Sequence, residues 1–257
     1  MSVAEGSVST TTRVTEVLLA FADATAPLGV SEIARSCGLS KAVVHRILQS
    51  LVTSGLVDYL AETRRYRLGP AAIALGRRAT RGNALHAAGM PAIAHLANRT
   101  GETTTLTERR GHGRQYIGIV ESINPIRITV RTNENVPLWS GASGLSILAF
   151  MDPVDIDYVL SGDRPSYTET TLTDPARIRD RLAEIRQRGW AHTAGERVRF
   201  SSSVAAPIFD ADDSPVGSLS VAYLVERLDD AQHYDLAQLV LSAARDATAR
   251  LREQETR

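Results

Sequence analysis

The sequence predicts an α+β protein with a small N-terminal winged helix-turn-helix domain, a linker helix, and a larger α/β sandwich domain. Three observations predict this fold class. Residues 29–57 show two short helical patterns joined by a tight turn, and two short strand-like runs follow them. The remainder of the chain alternates strand patterns with helical ones. At 257 residues, the chain is long enough to build one small and one larger core.

The helix pair carries its own start and stop signals. Ser31 is predicted to cap the first helix, and Gly38 to end it in the left-handed conformation. Ser40 is predicted to cap the second helix, and Gly55 to close it. One apolar stripe follows the helical period of the second helix: Val44, Ile47, Leu48, Leu51 and Val52. This arrangement is typical of a helix-turn-helix, whose second helix enters the major groove of DNA.

The spacing of the two helices would also fit a purely structural helix pair. The charge of this region favours the DNA-binding interpretation. Residues 30–70 hold six basic and three acidic side chains, although the whole chain balances 29 basic against 29 acidic residues. The predicted strands 56–60 and 65–68 form a wing whose arginines we expect to contact phosphates. The predicted DNA contacts are Arg13, Ser31, Ser40, Lys41, Ala42, Val43, His45, Arg46, Gln49, Arg64, Arg65 and Arg67.

Whole-chain features exclude several other classes of protein. The single cysteine, Cys37, excludes an internal disulfide and is expected to be a small core residue. No apolar run reaches membrane-spanning length, and no signal peptide opens the chain. We therefore expect a cytoplasmic protein with no membrane partner.

The order of patterns along the chain predicts four segments. Residues 1–10 are expected to be disordered, 11–69 to form the winged domain, 70–82 the linker helix, and 83–257 the larger domain. In the larger domain, Pro91 is expected to kink or restart the first helix. The predicted helices there span 84–98, 144–151, 153–161, 176–187 and 229–253. The predicted strands span 103–109, 114–122, 126–131, 190–195, 203–209 and 216–223.

Several stretches form a combination of motifs that is specific to one protein family. They are GLSKAVVHRILQSLVTSGLV with the returning YRLG, AIAHLANRTGETTTL, VPLWSGASGLSILAF, and RGWAHTAGERVRFSSSVAAPIFDADDSPVGSLSVAYLVERL. Together they resemble the IclR family of transcriptional regulators, from about Arg13 to the C-terminus. The resemblance implies a GAF-like domain that binds a small organic effector. It also implies a homodimer, or a dimer of dimers, that binds double-stranded operator DNA and represses or activates a nearby catabolic operon.

The resemblance places the effector around a loop of small residues that joins a strand to a helix. Gly141–Gly144 allow close approach of the backbone to a ligand, and N–H groups entering the helix would attract a carboxylate. Trp139 favours an aromatic or larger apolar molecule, so we expect a carboxylic or aromatic acid-like effector. The contacts that the resemblance implies are Val136, Trp139, Ala142, Ser143, Thr193, Ser203, Ser220 and Ala222.

The sequence motifs of a serine hydrolase and of a metal-binding protein are both incomplete in this chain. Gly141–Gly144 comes close to the G-x-S-x-G of a nucleophile elbow, but Leu145 stands where the last glycine is required. Six histidines show no metal-binding spacing, although His192 alone is a candidate to face the effector pocket. We predict a non-enzyme with no catalytic residues, no metal and no cofactor. The alternative is a stand-alone GAF-like small-molecule sensor or enzyme whose winged helix serves protein contacts.

Overall fold

The computed structural model describes residues 9–22, 24–132 and 134–255. Its contacts divide the chain into two compact units, Met1–Gly82 and Asn83–Arg257. Except for residues 9 and 10, the segment predicted to be disordered lies outside the described residues. Ser9 caps the first helix, because its Oγ accepts a hydrogen bond from the N–H of Thr12 at 3.1 Å. Ser9 and Thr10 therefore belong to the start of that helix, which corrects the predicted boundary.

The N-terminal unit is a winged helix-turn-helix. Its elements are α1 (Thr10–Leu19), α2 (Val30–Ser36), α3 (Lys41–Thr53), β1 (Val57–Leu60), β2 (Arg65–Leu68) and α4 (Pro70–Arg81). Gly38 and Gly55 have φ angles of +64° and +71°, the left-handed conformations predicted at the ends of the helix pair. Its core is formed by Val17, Phe21, Ile33, Ala34, Val44, Ile47, Leu48, Leu51, Val57 and Tyr66. The apolar stripe predicted on α3 is buried in this core up to Leu51, whereas Val52 is exposed.

The start of α2 differs from the prediction. The helix begins at Val30 with Gly29 as its N-cap residue, so Ser31 lies in the first turn and is not the cap. The N–H of Gly29 donates to Glu32 Oε2 at 2.7 Å. That hydrogen bond, together with the positive charge of Arg65, holds the pKa of Glu32 below its usual value. The cap is therefore a carboxylate that reaches back from the first turn, where a serine was predicted.

The wing is the antiparallel pair of β1 and β2, in which Asp58 lies opposite Arg67. Arg64, in the turn between the strands, has a φ of +54°, a conformation that is uncommon for a residue with a side chain. Tyr66 exchanges two backbone hydrogen bonds of 2.8 Å with Leu28. The return strand is thereby tied to the segment that leads into α2.

Helix α4 follows the wing directly. Pro70 occupies its first turn, where proline is tolerated, and Gly69 before it packs so closely on the Gly55 carbonyl that an added Cβ would overlap that oxygen. No residue of α4 is buried, and Ile73 and Leu75 are 58% and 62% exposed. The helix thus carries apolar side chains that its own unit does not cover.

The larger unit is a six-stranded antiparallel sheet with helices on both faces, the predicted α+β sandwich. Its strands are β3 (Thr103–Arg110), β4 (Gly113–Val120), β5 (Val136–Pro137), β6 (Ala191–Ala194), β7 (Ser201–Phe209) and β8 (Pro215–Leu224). Its helices are α5 (Ala84–Thr100), α6 (Ala142–Leu148), α7 (Pro153–Ser161), α8 (Pro175–Arg188) and α9 (Asp230–Glu255). The strand order is β5-β4-β3-β8-β7-β6.

The alternation of side chains along β7 and β8 separates the two faces of the sheet. Val204 and Ala206 of β7 and Val221 of β8 pack with α5 and α9 in one core. Ala205 points to the opposite face and packs in a second core with residues of α6, α7 and α8. Ser218 of β8 lies on this second face, since its Oγ donates to the Ser143 carbonyl in α6 at 3.2 Å.

In the larger unit, one predicted strand is wrong, and one of the two alternatives predicted for Pro91 is excluded. Residues 126–131 form no strand. Their carbonyls accept side-chain hydrogen bonds instead: Ile126 O from Arg227 Nη2 at 3.2 Å, and Ile128 O from Thr103 Oγ1 at 2.6 Å. Pro91 does not restart α5, which runs unbroken to Thr100. The other boundaries differ from the predicted ones by a few residues, and the short strand β5 was not predicted.

Candidate functional site

Helix α3 presents one exposed face without acidic side chains. Lys41, Ala42, His45, Arg46 and Gln49 are all exposed. Because most of them lie near the start of α3, the end that reaches base edges in helix-turn-helix proteins, they stay predicted DNA contacts. Val43 is half-buried and packs against the core of the winged unit. This position argues against the predicted contact of Val43 with DNA.

The remaining contacts predicted outside the wing lie at helix starts. Ser40 Oγ accepts the N–H of Val43 at 3.4 Å and caps α3, as predicted. Ser31 is exposed in the first turn of α2, and Arg13 is half-buried at the start of α1. The Nε of Arg13 is buried and has no hydrogen-bond partner among the described residues. Contacts of these three residues with DNA stay predictions.

The three wing arginines have different surroundings, although the sequence predicted one role for all of them. Arg65 is half-buried and holds the wing to α2, with Nη1 3.1 Å from Glu32 Oε2 and 2.7 Å from the Pro27 carbonyl. Arg67 pairs with Asp58 across the strands at 3.4 Å. Arg64 is exposed and has no ion pair within the described ranges. Arg64 is therefore the wing cation most available to a phosphate.

Replacing Arg64 with alanine is expected to weaken binding to all DNA sequences alike. Its loss should lower the slope of log affinity against log salt by about one, the change for one phosphate contact. Fluorescence anisotropy over a salt series measures this slope. The comparison variant Arg65→Ala should lower the melting temperature by a few degrees, because its bonds to α2 are lost. An unchanged slope combined with an altered sequence preference in Arg64→Ala would mean that the wing reads bases.

A cavity of about 240 Å³ lies within the larger unit, between β-strands and the start of α6. The lining includes residues of β3, β4 and β6–β8, so distant parts of the chain meet there. Seven of the eight predicted effector contacts line it: Val136, Ala142, Ser143, Thr193, Ser203, Ser220 and Ala222. The structure therefore brings these residues together, and their contact with a ligand stays a prediction.

Trp139 is the predicted contact that does not line the cavity. It is only 4% exposed and belongs to the core beneath α6, α7 and α8. Its indole stacks on the Tyr167 ring, with centroids 5.7 Å apart and planes 11° from parallel. Trp139 therefore does not support the expectation of an aromatic ligand.

Hydroxyl groups on the cavity wall are bonded to one another. Thr105 Oγ1 and Ser220 Oγ are 2.7 Å apart, and Thr193 Oγ1 and Ser203 Oγ are 3.2 Å apart. Thr193 Oγ1 also accepts the N–H of Ala142 at 3.1 Å. The first N–H of α6, which sequence reasoning offered to a carboxylate, is therefore already engaged.

Arg114 is the cavity residue that sequence reasoning missed. Its side chain on β4 is 1% exposed, and burial lowers the pKa of its guanidinium. Nη2 donates to the Ser140 carbonyl at 2.8 Å, but Nε and Nη1 have no hydrogen-bond partner in the described part of the chain. A buried cation with two donor atoms that lack partners, on the wall of a cavity, is a candidate group for binding an anion.

The small-residue loop is shaped around this arginine. A Cβ on Gly144 would lie 2.8 Å from Arg114 Nε and 2.5 Å from the Leu138 carbonyl oxygen. Gly141 has a φ of +79°, and a Cβ there would lie 3.2 Å from Arg114 Nη2. The two glycines thus make room for the guanidinium, a role that the sequence pattern did not reveal. The signal available in the sequence was an arginine near the start of a predicted strand that also contains several apolar residues.

Arg197 is a second cavity cation with an unpaired donor. Its guanidinium carbon lies 4.9 Å from the centre of the Tyr167 ring, and its Nη1 is buried without a hydrogen-bond partner among the residues that are described. Of the carboxylates that line the cavity, Glu196 pairs with Arg181 at 2.5 Å, and Glu134 pairs with Arg131, a third arginine of the lining, at 3.4 Å. Within the described residues, neither Arg114 nor Arg197 forms an ion pair.

His192, a candidate to face the pocket, lies outside the cavity lining. Its Nε2 is 2.9 Å from Ser202 Oγ, and its ring packs edge-on against His233 with centroids 3.9 Å apart. Burial, with a smaller contribution from His233, lowers the pKa of His192 to about 4.

Among the described residues, no group of three or more His, Cys, Asp or Glu side chains is arranged to hold a metal ion. The same residues include no helix with the length and apolar character to cross a membrane.

A winged helix with a basic exposed face, joined in one chain to a domain with a small-molecule cavity, defines the class of ligand-responsive DNA-binding proteins. Comparison with known families identifies which one. "IclR helix-turn-helix domain" matches residues 10–61, and "Bacterial transcriptional regulator IclR C-terminal" matches residues 78–249. The chain belongs to the IclR family. It is a DNA-binding transcriptional regulator with an effector-binding C-terminal domain, and not an enzyme.

Individual relatives agree with this assignment. The chain is 30% identical over 220 residues to the HTH-type transcriptional regulator BhcR of Paracoccus denitrificans (strain Pd 1222), covering 85% of this chain and 79% of that protein. It is 35% identical over 201 residues to the glycerol operon regulatory protein of Streptomyces griseus, covering 78% and 79%. The crystal structure of Thermotoga maritima IclR has a TM-score of 0.79 at 26% identity, covering 94% of this chain and 98% of that one.

Proposed function

We propose that this regulator controls an operon for the breakdown of a small organic acid, and that this acid is the effector held in the cavity. The observation that carries the proposal is the buried guanidinium of Arg114, which lines the cavity with Nε and Nη1 unpaired in the described residues. A carboxylate is the group that best satisfies it, because its two oxygens match the planar fork of guanidinium donors. A neutral ligand would leave the buried charge without a counter-ion.

Control of an operon is supported by the name of one relative. The Streptomyces griseus protein, 35% identical to this chain, is named for the glycerol operon. The exposed face of α3 and the free Arg64 supply the surface that would hold operator DNA. Binding free energy that differs between the acid-bound and acid-free forms would then change operator occupancy.

A homodimer, or a dimer of dimers, is part of the proposal. Ile73 and Leu75 are exposed on α4, a helix with no buried residue of its own. A second copy of the chain would cover these apolar side chains, and two-fold pairing would match a palindromic operator. Sedimentation velocity on the full chain tests this part, with Leu75→Glu expected to shift the protein toward monomer.

The test of the proposed function joins two measurements. Thermal shift with a panel of small carboxylic acids should show a higher melting temperature with the effector, because that acid binds the folded state. Anisotropy titrations on DNA upstream of the gene should show saturable, salt-sensitive binding whose midpoint moves when that acid is added. If no acid raises the melting temperature while operator binding is normal, the acid-effector proposal fails.

Filling the cavity should separate effector response from DNA binding. Ser143 is buried on the cavity wall, and its carbonyl, not its hydroxyl, accepts the bonds from Ser146 and Ser218. Ser143→Phe is therefore expected to keep near-native operator affinity but to lose the response to the acid. Ser161→Phe, at the exposed end of α7, is the control and should respond normally. A Ser143→Phe protein that responds like the wild type would place the effector elsewhere.

A further inference from the structure

The cavity contains two cationic groups that lie beside each other. A Cβ built on Gly141 would be 3.2 Å from Arg114 Nη2 and 3.1 Å from Arg197 Cδ, so both side chains flank the same point of the loop. Arg114 is fully buried, and its pKa is lowered first by burial and further by the charge of Arg197. The two guanidinium groups therefore repel each other, and Arg114 is the one that is shielded from solvent, whereas Arg197 is half-buried.

Both carboxylates among the described residues of the cavity wall already form ion pairs with other arginines. Glu196 contacts Arg181 at 2.5 Å, and Glu134 contacts Arg131 at 3.4 Å. The wall hydroxyl groups of Thr105, Ser220, Thr193 and Ser203 bond to one another. Among the described cavity residues, the fully buried side-chain donors without a hydrogen-bond partner are Arg114 Nε and Nη1 and Arg197 Nη1.

We propose that the effector carries two acidic groups, and that it is a dicarboxylate held by Arg114 at one end and Arg197 at the other. This inference rests on the proposed function, because it assumes that the cavity takes an organic acid. A single carboxylate neutralises one guanidinium and leaves the second unpaired, whereas a dicarboxylate neutralises both. The stacking of Arg197 on Tyr167 holds the second cation in place before the ligand arrives.

Matched pairs of acids test the proposal on the full chain by isothermal titration calorimetry. The probes are the aliphatic α,ω-dicarboxylates of three to six carbons and benzene dicarboxylates, each compared with the monocarboxylate of the same skeleton at constant ionic strength. The best dicarboxylate is expected to bind at least about tenfold more tightly than its monocarboxylate. Arg197→Gln should remove this difference by weakening the dicarboxylate alone. Arg114→Gln should weaken both.

Arg199 provides the matched control. It lies two residues from Arg197, is exposed, does not line the cavity and pairs with Glu169. Arg199→Gln removes the same charge from the same segment and should leave both affinities unchanged. If it erases the difference as Arg197→Gln does, long-range charge explains the preference and the proposed contact with Arg197 is wrong.

The other outcomes separate this inference from the proposed function. Monocarboxylates and dicarboxylates of equal affinity in the wild type, both weakened by Arg114→Gln, would overturn the two-acid inference and leave the acid-effector proposal standing. Equal losses for both classes in Arg197→Gln would also overturn it, because Arg197 would then support the fold of the cavity. If no probe of either class binds, both proposals fail.

Discussion

Replacing Arg114 with methionine is expected to raise the free energy of unfolding of the acid-free protein by about 1–4 kcal/mol while abolishing its response to the acid. Arg114 is 1% exposed, and Nη2 donates its one hydrogen bond, to the Ser140 carbonyl. Removing that bond costs about 1 kcal/mol. The larger effect is the removal of an unbalanced buried charge, for which an unbranched apolar side chain is a good substitute.

Urea denaturation of both proteins without added acid measures this difference, and operator titrations with the acid measure the lost response. Arg177→Met is the control, because Arg177 is an exposed arginine of α8, and its change should stay within about 0.5 kcal/mol. A marked loss of stability in Arg114→Met would show that the charge is already balanced in the protein. The anion-binding role of Arg114 would then be wrong.

Replacing Arg46 with alanine is expected to weaken specific operator binding by about 1–3 kcal/mol, or roughly five- to 150-fold. Arg46 is exposed near the start of α3, beside His45 and one turn after Ala42. A side chain there reaches base edges or the phosphates beside them. Because Arg46 is exposed and has no part in the core of the winged unit, stability should be unchanged.

Operator variants distinguish the two kinds of contact. If Arg46 contacts a base, Arg46→Ala should lose discrimination at one operator position, and if it contacts a phosphate, the salt slope should fall by about one. Arg99→Ala, an exposed arginine of α5 in the other unit, controls for the lost charge. Unchanged operator affinity in Arg46→Ala would remove this residue from the predicted interface.

The winged unit could be predicted in detail because its signals are local. The periodic apolar residues of α3 and the glycines at its ends act over one or two turns, and Val44, Ile47, Leu48 and Leu51 are buried accordingly. The cap of α2 is also local, but Glu32 provides it in place of the predicted Ser31. A distant partner was missed at Arg65, which was predicted as a phosphate contact and pairs with Glu32, 33 residues earlier in the chain.

In the larger unit, too, predictions failed where the contacts of a residue come from distant parts of the sequence. Residues 126–131 have a strand-like composition, but their carbonyls are taken by Thr103 and by Arg227, about 100 residues away. Trp139 was placed at the effector by its position near the loop, yet its stacking on Tyr167 holds it in the core. Arg114 was missed because the residues that surround it include Gly141 and Gly144, which lie about 30 residues away in the sequence.

Gly141 and Gly144 also restrict which substitutions this regulator could accept during evolution. Gly141 has a left-handed φ, and a Cβ on Gly144 would collide with the Leu138 backbone whatever the effector is. Substitution at these two positions is therefore restricted, even under selection for a different effector, whereas the side chains of Ala142 and Ser143 between them are not limited in this way. New specificity would have to arise at other positions of the lining, such as Ser143, Ser203 and Arg197. The two glycines that mark the pocket in the sequence are thus the positions least able to record which molecule the pocket has been selected to bind.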